Sequence, residues 1–94
     1  ENDAADNPQE SAPGIGSALI IRNLQCQQNT ATPTAQTIAI KSGGTVVGYL
    51  RLSDNDGAGA ARPFVFCGDN ENFSLDSDQA QEYTISYDVK TVTL

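Results

Sequence analysis

Apolar residues in this chain fall in short runs whose period is two rather than 3.6. The last run, EYTISYDV, alternates throughout, with Tyr83, Ile85, Tyr87 and Val89 on one face and Glu82, Thr84, Ser86 and Asp88 on the other. That is the pattern of an antiparallel strand buried on one side. Val92 and Leu94 fall on the opposite parity, so a bulge near Lys90 or a short turn there is expected to absorb a slip of one residue. In SALIIRNLQC, Ile20, Leu24 and Cys26 share one face and Leu19 and Ile21 the other. A strand apolar on both faces is central or sandwiched.

Two β-rich runs, TIAIK and VVGYLRL, meet through Gly43 and Gly44. Paired glycines accept the positive φ of the primed hairpin turns. Counting outward from a Ser42 and Thr45 pair, the register predicts Ile40 opposite Val47 and Ile38 opposite Tyr49 on the core face. Thr37 with Leu50, and Ala39 with Gly48, fall on the other face. SDNDGAGAARP has no apolar periodicity and reads as a surface loop. Pro63 then opens the strand PFVFC, in which Cys67 points with Val65. Phe73 and Leu75 share a face in FSL, and DSDQAQ reads as a looped or helical turn.

These elements predict an all-β fold, a small antiparallel β-sandwich of six or seven short strands. Residues 1–16 contain four acids, two prolines, two glycines and one large aliphatic, Ile15. The segment cannot offset its ordering entropy by burial, so it reads as a flexible acidic N-terminal arm ahead of a β-sandwich domain at 17–94.

Ninety-four residues make one domain with a thin core: 38% of the chain is hydrophobic, with no Trp or Met. The two cysteines, Cys26 and Cys67, are too far apart for a redox CxxC motif or a zinc knuckle. A structural disulfide between them is the expectation, closing a loop of about 40 residues for roughly 4 kcal/mol in the chain-entropy model. A small domain stapled in this way belongs to an oxidising compartment, so a secreted, periplasmic or cell-surface location is expected. An immunoglobulin-like architecture is compatible with such a cysteine pair, but its hallmarks are missing. No Trp lies between the cysteines, Val65 stands two before Cys67 where a Tyr would be, and two strands follow Cys67.

Twelve acids against five cations give a net charge of −7, and Arg22, Lys41, Arg51, Arg62 and Lys90 are dispersed along the chain. Nucleic acid and anionic membranes require clustered cations and are disfavoured as partners. No apolar run reaches the roughly 20 residues of a membrane-spanning helix. No basic region followed by an apolar one opens the chain, so Glu1 reads as a mature terminus or a boundary.

Histidine is absent, which removes His-dependent nucleophilic sites and imidazole metal ligands. Catalysis and cofactors are therefore not expected. DNDG resembles the start of an EF-hand loop only superficially, because aligning Gly57 with the invariant glycine puts Leu52 at the first ligand position. Asn72-Phe73-Ser74 is a formal glycosylation sequon.

The acids at Asp54, Asp56, Asp69, Glu71, Asp76 and Asp78 are the candidate partner-binding loops. Together these features lead to the expectation of a non-catalytic extracytoplasmic binding or accessory module, an inhibitor, chaperone-like factor or domain of a surface assembly. It would meet a basic protein partner through its acidic surface and sheet edges. The alternative is a structural subunit of a surface fibre or adhesin.

Overall fold

A computed structural model describes residues 6–79 and 81–94. Among them are seven strands and no helix: β1 Asp6–Glu10, β2 Ser17–Gln28, β3 Gln36–Ser42, β4 Thr45–Leu52, β5 Gly59–Phe66, β6 Phe73–Ser77 and β7 Tyr83–Thr93. They form two antiparallel sheets, a four-stranded one in the order β1-β6-β3-β4 and a three-stranded one in the order β5-β2-β7. Only the β3–β4 connection stays within a sheet, and every other connection crosses the core. The immunoglobulin arrangement would place β1-β2-β5-β4 in one sheet and β3-β6-β7 in the other. The layering is comparable, but the strand order differs.

The segment expected to be a flexible arm contributes β1, an edge strand paired with β6, in which Asn7 faces Leu75 and Glu10 faces Phe73. Backbone pairing does not require apolar side chains, and β1 covers the hydrogen-bonding edge of a strand whose Phe73 and Leu75 are fully buried. Residues 1–5 lie outside the described residues.

Gly43 and Gly44 take φ of 57° and 87°, and Ser42 faces Thr45, the turn expected from the glycine pair. Beyond it the register departs from simple counting. Lys41 faces Val46, but Ile40 faces Gly48, Ala39 faces Tyr49 and Ile38 faces Leu50. Val47 is thus an extra residue on β4, a bulge that turns the rest of the strand over. Ile38, Ile40, Leu50 and Leu52 point into the core, while Tyr49 is 47% exposed.

A second bulge lies on β2. Against β7, Arg22 faces Asp88 and Gln25 faces Ser86, so Asn23 and Leu24 oppose Tyr87 alone. Asn23 has φ of 53°, a left-handed conformation that Asn tolerates better than most residues. The extra residue switches parity, and Leu19, Ile21, Leu24 and Cys26 all enter the core. The slip expected near Lys90 does not occur: β7 runs unbroken to Thr93, so Val92 lies on the face opposite Val89, and Leu94 beyond the strand is exposed. β5 starts at Gly59, within the predicted loop, and Pro63 sits mid-strand. That position is tolerated because β5 is an edge. Asp76 and Ser77 belong to β6 rather than to a turn.

The core is one cluster drawn from both sheets, with Phe73 meeting Tyr87 edge-to-face at 5.4 Å. At one end a buried polar chain closes it: Gln36 Nε2 donates to Gln28 Oε1 at 2.9 Å, and Ser77 Oγ donates to Gln36 Oε1 at 2.5 Å. Gln28 Nε2 in turn donates to the carbonyls of Thr34 and Ser53.

The expected disulfide is not formed; Cys26 and Cys67 are buried free thiols. The β2–β5 register explains why. Cys67 N–H donates to the Leu19 carbonyl, whereas Cys26 faces Ala60. Leu19 and Cys26 are seven positions apart on β2, on the order of 20 Å at the strand rise. Disulfide bridging requires Cα atoms closer than about 7 Å.

Candidate functional site

The six acids singled out in the sequence do not converge. Asp54 and Asp56 are exposed in the loop that joins β4 to β5. At the opposite end, Asp69 Oδ1 accepts the Gly16 N–H at 2.7 Å, and Glu71 Oε1 accepts from Ser42 Oγ at 3.0 Å. These two carboxylates fasten the β5–β6 loop to its neighbours. Asp76 and Asp78 alone share a surface, the outer face of the four-stranded sheet.

That surface is built row by row from the strand register. Ala39 on β3 faces Tyr49 on β4 and Asp76 on β6. One row along, Thr37 faces Arg51, and Thr37 and Asp78 exchange hydrogen bonds, the Thr37 N–H reaching Asp78 Oδ1 at 2.8 Å. The central strand thus carries small side chains between larger ones. The result is a groove of about 530 Å³ lined by Thr37, Ala39, Tyr49, Asp76, Ser77 and Asp78. An aromatic ring forms one wall and two carboxylates form the other, two strand spacings or about 10 Å away.

Two of the protein's own cations contact residues of its walls. Arg51 lies over the Tyr49 ring at 5.2 Å, and Lys41 Nζ is 3.8 Å from Asp76 Oδ2. Chemically the groove can hold an ammonium or guanidinium, with the ring quadrupole and the carboxylates acting on the same charge. Sequence reading placed Tyr49 in the core and so missed it. The signal that could have found it is Gly48, since an isolated glycine within a strand marks a bulge.

A second hollow, of about 350 Å³, lies on the outer face of the three-stranded sheet and is lined by Gln25, Gln27, Gly59, Ala61, Thr84 and Ser86 among others. Cys26 is its only lining residue with an ionisable side chain, and that thiol points the opposite way, into the core. Burial pushes that thiol up to about 12. Burial also raises Cys67, against the opposing effect of the Ser42 hydroxyl. Both thiols are protonated at neutral pH and so are poor nucleophiles. Among the described residues no three His, Cys, Asp or Glu side chains are grouped to hold a metal ion, and no helix is long and apolar enough to cross a membrane. Asn72 of the sequon is half-buried, and its carbonyl accepts the Gly43 N–H.

Compared with family models, curated proteins and solved structures, the chain matches none.

Proposed function

We propose that this β-sandwich is a non-catalytic binding module that receives a cationic side chain of a protein partner in the groove along β3. The observation that carries the reading is the single row Tyr49, Ala39, Asp76 across three strands. In that row a ring and a carboxylate face each other over a methyl group. The net charge of −7 adds a long-range attraction for basic partners that acts mainly on association rate. The reading does not depend on compartment. With no bond between Cys26 and Cys67, the cysteines no longer argue for an oxidising location, and an extracytoplasmic setting forms no part of the proposal.

The test is titration of ¹⁵N-labelled protein with a short Arg-containing peptide and, separately, a Lys-containing one. Shifts are expected at Thr37, Ala39, Tyr49 and Asp78, weakening as salt rises. Tyr49→Ala is expected to reduce affinity roughly 2- to 30-fold, the range of a cation–π contact. Asp76→Asn should reduce it further. Shifts centred on another face, or an affinity indifferent to both substitutions, would overturn the assignment.

A further inference from the structure

A sandwich of two open sheets has four edges, and three of these are protected against pairing with another chain. β1 is five residues long, contains Pro8 and slips register between Pro8 and Glu10. β4 carries the Val47 bulge. β5 contains Pro63, and the Arg62 side chain packs against Gly48 of β4 across the gap between the sheets. β7 differs: it has eleven residues, no proline and no glycine. The bulge in its ladder is taken up by β2. Such a strand is a template for another.

The polarity of this edge can be read from its two ends. Glu82 C=O accepts the Asn29 N–H, and Leu94 N–H donates to the Gly16 carbonyl. Even positions of β7 therefore turn their backbone groups toward β2. In an unbroken strand the odd positions Val89, Thr91 and Thr93 turn theirs outward. β7 carries two charges, Asp88 and Lys90, flanking Val89. Val89 faces the fully buried Ile21 across the ladder, yet is itself 41% exposed. Asp88 faces Arg22, while Lys90 faces Ile20.

We infer that β7 pairs antiparallel with β7 of a second copy of this chain, in the register centred on Val89, to give a continuous sheet β5-β2-β7-β7′-β2′-β5′. The charge pattern selects this register. With Val89 opposite Val89′, each Asp88 faces the partner copy's Lys90 in a non-hydrogen-bonded pair, where side chains approach most closely. The two copies exchange two such ion pairs through one two-fold axis, an isologous and closed contact. The outward backbone groups of Val89 satisfy those of Val89′, and the half-exposed valines cover one another. Shifting the register by two residues separates the opposite charges.

Sedimentation velocity over a concentration series tests this, with circular dichroism confirming the fold of each variant. The wild-type chain should pass from monomer to dimer as concentration rises through the micromolar range. Lys90→Glu opposes two carboxylates across the axis and should raise the dimer dissociation constant by about tenfold or more. The exchanged pair Asp88→Lys with Lys90→Asp should recover dimerisation relative to Lys90→Glu. Thr91→Pro removes an N–H that points away from β2, and should abolish the dimer while leaving the monomer folded. A wild-type chain that stays monomeric at several hundred micromolar overturns the inference. So does a dimer whose dissociation constant is unchanged by both Lys90→Glu and Thr91→Pro.

Discussion

Ser42 and Glu71 meet at the end of the sandwich where the β3–β4 turn touches the β5–β6 loop: Ser42 Oγ donates to Glu71 Oε1 at 3.0 Å and accepts the Gly68 N–H at 3.0 Å. The Glu71 carboxyl group fills the space that a Cβ at Gly43 or at Gly68 would need. One hydroxyl thus joins the hairpin turn to a loop of the opposite sheet, and the glycines leave room for the carboxylate beside it.

Ser42→Ala is expected to destabilise the fold by roughly 1–3 kcal/mol, because it leaves the Gly68 N–H and part of the carboxylate without a partner. Gly43→Ala should cost a similar amount. Its φ of 57° is unfavourable for Ala, and the added methyl displaces Glu71. Midpoints of urea unfolding check both, and Thr45→Ala on the exposed side of the turn should move the midpoint little.

The β4 bulge separates two neighbours that simple alternation would assign the other way round. Leu50 is 2% exposed and Tyr49 is 47% exposed. Leu50→Ala should therefore cost about 2–5 kcal/mol, and Tyr49→Ala less than about 1 kcal/mol. The reverse order in chemical denaturation would place Tyr49 in the core and remove the groove.

The buried amides form a chain in which each link depends on the next. Gln36→Ala removes one acceptor of Ser77 Oγ, which still reaches the Gln79 carbonyl, and leaves the buried Gln28 Oε1 without its donor; it should destabilise by roughly 1–3 kcal/mol through that unsatisfied group. Gln36→Leu, which keeps the volume, should remain destabilising because Gln28 Oε1 is still left without its donor. If both variants melt with the wild type, the chain contributes nothing to stability.

Two free thiols should titrate in the denatured protein and almost none in the native state, and reductant should leave the melting temperature unchanged. pH adds a second readout. Cys26 keeps its proton up to about 12 in the fold, against an ordinary value of 9.0. Above pH 9 the unfolded chain therefore loses a proton that the folded chain retains. Stability is fully present below pH 9 and falls as pH rises toward 12. Cys26→Ala should have a shallower alkaline decline than wild type, measured by urea midpoints between pH 8 and 11.

Much of the local structure was legible without coordinates. The Gly43-Gly44 turn lies where its backbone chemistry puts it, and Phe73 and Leu75 share the buried face that their spacing predicts. The one-sided alternation of β7 holds best at its start, with Tyr83 buried and Ile85 and Tyr87 half-buried, whereas Val89 lies where no strand of the other sheet covers it. Of the candidate site, Asp76 and Asp78 were visible as acids, but not as one wall of a groove whose other wall is Tyr49.

Composition and periodicity determined by themselves that this chain is a β protein, with a primed hairpin, an acidic surface and no histidine chemistry. These follow from residue types and from spacing along one strand, which are local properties. Which face each residue takes was decided only by the tertiary structure, because a single inserted residue, Val47 on β4 or one at Asn23–Leu24 on β2, reverses every side chain beyond it. The cysteines follow the same rule. Their separation is set by the β2–β5 register, which places Cys67 beside Leu19 and Cys26 beside Ala60, and a cross-strand register is fixed by packing between segments far apart in the chain.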